Sequence, residues 1–277
     1  MRRATIIAAA GFLLLVVVSA VFAPTVARYD PVAQDVERRL ERPGRAHLFG
    51  TDGFGRDVFS RVVHGARASL TVGFGAVALA GIIGVAVGLT TAYAGGLADL
   101  IVQRAVDVLL GFPFLVLALI VIVALSPSVG SLTLAIGVGL APQIARVARS
   151  AALPIVEEQY VAAARACGAG PLYTVFFHIL PNAAPPIVAQ LTGYFGAAVA
   201  AEAALSFLGL GVPPPFPSWG RMLQEGTRAY FEAAPWVTLL PGLVLSLTVM
   251  SCAILGDTIR DATQREFALS PLQATDR

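Results

Sequence analysis

The sequence predicts an all-α integral membrane protein of six transmembrane helices, with an extended polar loop after the first span. Two observations carry this reading. Apolar residues make up 57% of the 277 positions and charged residues only 13%, about half of the ~25% carried by a soluble domain. The apolar residues also come in blocks rather than amphipathic stripes, and a helix needs ~20 of them to cross hydrocarbon.

Arg2 and Arg3 precede an apolar run that ends at Pro24 without a clean small-residue cleavage site. The stretch 1–24 is therefore read as a retained first span rather than a removed signal. The segment 25–67 carries Asp30, Asp35, Glu37, Glu41, Asp52 and Asp57 among eight arginines and is too polar for lipid. It reads as a folded extramembrane loop. Runs at 69–93, 106–125, 131–145, 187–210 and 236–255 supply five more spans within a core of 68–257. Polar stretches at 146–186 and 211–235 interrupt that core, and 258–277 follows it as a tail. An even number of spans puts both termini on one side.

Small residues punctuate the spans, and the spacing of Gly84 and Gly88 allows two helix backbones to approach closely. Arginine counting does not orient the protein, because the long 25–67 loop is the most basic and long loops weaken the rule. Arg146, Arg149 and Arg165 favour a cytoplasmic 146–186 stretch, which leaves the Pro-rich 212–218 run outside. Trp219 and Trp236 flank that outer segment and read as headgroup-level anchors.

Composition excludes several chemistries. All 19 basic residues are Arg, so no phosphate-binding loop and no Schiff-base lysine can be built. Dispersed arginines and a net charge of +2 do not make a nucleic-acid stripe. His47, His64 and His178 are too scattered to suggest a metal site. Cys167 and Cys252 are far apart and read as unpaired packing residues. No sequence pattern of an intramembrane protease appears. An ion-driven carrier would usually show repeated halves and midplane charges. Neither is clear in this chain.

One stretch is more specific: Tyr160-Val161-Ala162-Ala163-Ala164-Arg165-Ala166-Cys167-Gly168, then after nine residues His178-Ile179-Leu180-Pro181-Asn182. It resembles the cytoplasmic signature of permease subunits of ATP-binding-cassette importers. Read from the residues, Ala163 and Ala164 permit close helix contact, Gly168 can adopt positive φ at a helix end, and Pro181 is expected to stop the next helix. Ala162 stands where the family usually has Glu, with Glu157 or Glu158 as a candidate substitute.

Four further stretches resemble the second permease subunit of the dipeptide, oligopeptide and nickel branch. They are His47–Asp57 with Gly50, Thr51, Asp52, Gly55, Arg56 and Asp57; Glu202–Gly211; Pro217-Ser218-Trp219-Gly220; and Gly256–Asp261. The resemblance covers nearly the whole chain. It implies a heterodimer with a homologous permease, two cytoplasmic ATPase subunits that bind ATP and Mg²⁺, and an extracytoplasmic substrate-binding protein. It also implies a multi-pass protein of the bacterial inner membrane, with a cytoplasmic coupling-helix loop, an extracytoplasmic loop after the first span, and no cofactor in this chain. Its solutes would be dipeptides or oligopeptides, with nickel chelates or glutathione as alternatives.

Two sets of residues outside the coupling loop are singled out. Asp52, Asp57, Arg56 and Arg61 alternate in sign beside glycines, as a clamped loop at a membrane edge would. Glu202 is a carboxylate deep in an apolar run, where burial in lipid is costly. It is the best pathway candidate, with fastening of the outer loop as the competing role.

Overall fold

The computed structural model describes residues 2–268. In chain order its helices are α1 (Arg2–Val21), α2 (Ala23–Val26), α3 (Val58–Ala94), α4 (Gly96–Leu110), α5 (Phe114–Leu125), α6 (Val129–Val156), α7 (Gln159–Ala166), α8 (Pro171–Thr174), α9 (Leu180–Phe207), α10 (Trp219–Ala229) and α11 (Trp236–Ala268). A π-helical turn, Val175–Ile179, joins α8 to α9, so that 171–207 is one continuous rod. The residues 269–277 of the expected tail lie outside the described set.

Among the described residues, five helices are long and apolar enough to cross a membrane. The run 106–125, expected to be one span, is instead two helices, α4 and α5, bent by 89°. The cause is local. Pro113 has no N–H to continue the ladder of α4 and restricts Phe112 before it, so the chain turns at 111–113 and restarts. With α5 only 12 residues long, or about 18 Å, this pair makes a sixth crossing only as a broken unit.

The other boundaries move outward from the apolar runs. Helix α3 begins at Val58, inside the stretch expected to be loop, and its 37 residues extend about 55 Å, well beyond ~30 Å of hydrocarbon. Asp57 starts it, its carboxylate accepting from Ser60 N at 2.7 Å, an N-cap bond that satisfies an otherwise orphaned donor. Helix α11 likewise continues past 257 to Ala268.

Helices α3, α6 and α9 form the centre. Val72, Ala76 and Ala80 of α3 meet Leu132, Ile136 and Leu140 of α6 and Ala198 and Leu205 of α9, with Ala118 and Ile122 of α5 closing the cluster. A second cluster toward the other end joins Leu89, Ala148, Ala152, Ile179 and Ala183. The glycine pair works as its spacing suggests. A Cβ on Gly84 would lie 2.7 Å from the Ala141 carbonyl oxygen, and one on Gly88 2.4 Å from that of Ala145. Backbone therefore meets backbone between α3 and α6.

Candidate functional site

The signature hairpin is built from α7, a glycine turn, α8 and the π turn. Helix α7 ends in a Schellman arrangement: Gly168 has φ +86°, its N–H donates to Arg165 O at 3.0 Å, and Ala169 N donates to Ala164 O at 3.0 Å. Gly170 then leads into Pro171, which occupies the first turn of α8, where its missing N–H costs nothing.

The structure places the expected hairpin residues unequally. Tyr160, Ala162, Ala163 and Gly168 are exposed and Ala164 is half-buried, while Val161 is the buried anchor of α7. The close contact expected of Ala163 and Ala164 thus falls to Val161. Glu157 and Glu158 are both exposed beside α7. Cys167 is exposed too, and so is not a packing residue, unlike Cys252.

Pro181 does not stop a helix. It lies in the first turn of α9, with Leu180 ahead of it, and the rod runs on to Phe207. Proline removes a donor and crowds the carbonyl four residues back; the widened π turn immediately before it absorbs that misfit. Asn182 Nδ2 donates to His178 O at 2.7 Å across the same place. His178 sits with Tyr160 and Tyr173, ring centroids 6.3 and 5.7 Å away, and Tyr173 stacks on Phe177 at 4.7 Å. Leu172, Tyr173, Phe176 and Phe177 are all exposed, an apolar aromatic face of the kind that marks an interaction surface.

Arg165 adds a tie to the bundle beyond the buried Val161 and Ile179, its guanidinium 4.2 Å from the ring centroid of Tyr93 at the end of α3. Just past Tyr93, Gly95 and Gly96 both have positive φ and α4 turns back. Polar pairs then hold α4 to α6. Arg149 makes a two-point pair with Asp99 at 2.7 and 2.5 Å, and Arg146 pairs with Asp107. These residues line an open cleft of about 700 Å³ with Gln103 and Ser150. Arg146 and Arg149 are therefore partners of α4, not loop charges.

At the other end of the bundle, the loop 27–57 folds on its own polar groups. Asp52 accepts from Phe54 N and Arg56 N and takes Arg56 Nε at 2.6 Å. Asp57 takes His47 Nδ1 at 2.8 Å. Thr51 donates to Arg38 O, accepts from Glu41 N at 2.8 Å and pairs with Asp57 in an isolated antiparallel bridge. Gly50 and Gly55 have φ of +72° and +73°, and a Cβ on Gly55 would lie 1.7 Å from Asp35 O. The glycines are thus required twice over, by conformation and by space. Arg56, Asp52, Asp57, Arg61 and His47 are all buried.

Sequence reading missed the partner that completes this cluster. Glu225 of α10 accepts Arg56 Nη2 at 2.9 Å and Arg61 Nη2 at 3.1 Å on one oxygen, and Arg221 Nε at 2.8 Å on the other. Burial alone would push the Glu225 carboxyl up, but Arg61, Arg221 and Arg56 together hold it below the usual carboxylate range. The cue in the sequence is the i, i+4 Arg221–Glu225 pair on a short polar helix.

Glu202 is fully buried in α9. Ser206 Oγ donates to its Oε1 at 2.6 Å, and Ser69 and Ser218 lie beside it, although Oε2 and Ser69 Oγ have no partner at hydrogen-bond geometry. This enclosure among α3, α9 and the N-cap of α10 suits fastening. Trp219 is also fully buried, its Nε1 donating to Val62 O at 3.0 Å. It is a core residue rather than a headgroup anchor. Trp236 is half-buried and reaches Thr51 O at 3.3 Å.

Similarity to known proteins agrees with this anatomy. The dipeptide transport system permease protein DppC of Alkalihalophilus pseudofirmus is 41% identical over 243 residues, 88% of this chain and 80% of that one. The di/tripeptide permease DppC of Pseudomonas aeruginosa is 41% identical over 257 residues, 91% of this chain and 84% of that one. The glutathione permease GsiD of Pectobacterium atrosepticum is 37% identical over 263 residues, 95% and 87% of the two chains. Among solved structures, an inward-facing form of the MetNI methionine ABC transporter matches with a TM-score of 0.58 and 25% identity, over 73% of this chain and 96% of that one. Residues 81–268 match the model of the family described as binding-protein-dependent transport system inner membrane components, and the chain belongs to that family.

Proposed function

We propose that the chain is one of two homologous permease subunits in an ATP-driven importer of dipeptides or oligopeptides. The names borne by the relatives at about 40% identity support the peptide class. The exposed hairpin at 159–179 carries the mechanism. It presents Tyr160, Tyr173, Phe176 and Phe177 away from the bundle, a surface suited to a groove on a cytoplasmic ATPase subunit that binds ATP and Mg²⁺. Movement of that surface has routes inward through the π turn into α9, through Arg165 to Tyr93 on α3, and through Val175 and Ile179 onto Leu89, Ala148 and Ala152 of α3 and α6.

In this reading both termini are cytoplasmic in a bacterial inner membrane. The loop 27–57 then lies outside, where a substrate-binding protein delivers its peptide. Energy enters at one end of α3 and α9, and solute at the other.

The test is uptake of dialanine by proteoliposomes holding the chain with its cognate permease, ATPases and binding protein. Uptake should require ATP and persist after ion gradients are collapsed. Uptake that follows an ion gradient without ATP would overturn the reading.

A further inference from the structure

Helix α10 is held at two levels, and its holds reach different parts of the molecule. At its first turn a Cβ on Gly220 would lie 2.2 Å from Ala203 O, so α10 rests on the backbone of α9 with no side chain between. Trp219 binds Val62 O of α3 in the same turn, and the N-cap Ser218 lies beside buried Glu202. Further along, Glu225 Oε2 takes both Arg56 of the loop and Arg61 of α3.

That shared oxygen is the informative feature. The Arg56 and Arg61 side chains are 7% and 1% exposed, so a shift of the loop relative to α3 would strip a buried guanidinium of part of its compensation, which is strongly unfavourable. The loop also holds α3 directly, with Arg61 Nε 3.5 Å from Asp52 Oδ2 and Arg61 Nη1 donating to Pro31 O at 3.3 Å, so loop and α3 move together and Glu225 ties α10 to both. Because close-packed backbones transmit displacement rather than absorb it, a tilt of α10 also moves α9 at Ala203.

We propose that Glu225 is the positioning residue that carries docking at the loop 27–57 into α9, with α10 as the rigid link, alongside the loop's direct hold on α3. The inference rests on the proposed function, in which a binding protein meets that loop. It gives the outer face a counterpart to the cytoplasmic hairpin, built from a different helix and acting on the same two spans.

The test uses the assembled transporter in lipid nanodiscs: the chain, its partner permease and both ATPases. ATP hydrolysis is measured with and without dialanine-loaded binding protein, and docking affinity is measured separately. In Glu225→Gln, basal hydrolysis and docking affinity should stay near wild type. Stimulation by the binding protein should fall about tenfold, the ratio expected for loss of one charge-assisted hydrogen bond. Glu225→Asp should recover part of it. Equal stimulation of Glu225→Gln and wild type would overturn the inference, and so would a parallel loss of docking affinity, which would make Glu225 a mere shaper of the docking face. If Glu225→Gln fails to assemble, Arg221→Gln serves instead, since it leaves the carboxylate charged and removes only the hold of α10 on its Oε1. A partial loss of stimulation there supports the link and an unchanged ratio overturns it. A wild-type complex that shows no stimulation would sink the proposed function itself, a result distinguishable from the others.

Discussion

Arg165 of α7 lies over the ring of Tyr93 at the end of α3, 4.2 Å from its centroid. The exposed hairpin thus touches the bundle at a helix other than the one it leads into. Such a contact is worth ~0.5–1 kcal/mol at an exposed site, too little to hold the fold but enough to bias a lever. Tyr93→Leu should leave assembly unchanged and lower ATP-driven dialanine uptake by about 2- to 5-fold, the ratio that energy sets. Tyr93→Phe, which keeps the ring, should transport normally. Equal uptake by the Leu variant would show that the Arg165–Tyr93 contact does not carry the motion.

The packing of α3 on α6 makes the opposite kind of prediction. A Cβ on Gly88 would lie 2.4 Å from Ala145 O and 2.8 Å from Ala148 Cβ. Neither neighbour can rotate away, because one is backbone and the other has no side-chain torsion. Gly88→Val must separate the helices and uncover Leu89, Ala148 and Ala152, at a cost of about 1–3 kcal/mol or more for overpacking. Abundance of the tagged variant in the membrane should fall, and its melting temperature in detergent should drop with it.

The bundle was more legible in the sequence than the site. Long apolar runs marked α1, α3, α6, α9 and α11 because crossing hydrocarbon imposes length and hydropathy together. The break of α4 from α5 escaped because hydropathy averages over a window and cannot register a right-angle turn. The cue lay in Gly111-Phe112-Pro113. The alternating charges at 52–61 announced a clamp, but their partner Glu225 lies 164 residues from Arg61, and no local pattern reports a pairing at that separation. Trp219 was misplaced for a related reason: its apolar body and polar tip suit an interface or a core, and the choice depends on whether a carbonyl such as that of Val62 is within reach.

Glu225 also fixes a pH dependence. Its folded carboxyl is depressed below the ordinary 4.5, by Arg61, Arg221 and Arg56 acting against burial. A depressed acid contributes stability that is fully present above its unfolded value and is lost as pH falls through the folded one. Resistance of the loop 27–57 to protease should therefore be constant from about pH 5 to 8 and decline below about pH 4.5. Glu225→Gln should be less stable by about 2 kcal/mol across the neutral range, with the difference from wild type shrinking as pH falls through that window. A constant difference down to pH 3 would show that the charge on Glu225 contributes nothing.

Gly168 separates conformational strain from crowding. Its φ is +86°, and nothing lies within 4 Å of a Cβ built there, so substitution costs only what the left-handed backbone imposes on an L side chain. For a β-branched residue that is ~1–3 kcal/mol. The turn can relieve this strain only by giving up the bonds from Gly168 N to Arg165 O and Ala169 N to Ala164 O, which fix the direction of α7. Gly168→Val should therefore misdirect Tyr160 and weaken transport while the spans, packed through clusters that exclude this turn, stay inserted and assembled. Gly168→Asn, which tolerates positive φ better, should fall between Val and wild type. Ala162 is the control on the same helix: it is exposed, its φ imposes no such restriction, and Glu is a good helix former. Ala162→Glu should be accepted and should hold the ATPase subunits as well as wild type or better. Normal transport by Gly168→Val, or loss of the ATPases from Ala162→Glu, would remove this hairpin from the ATPase contact.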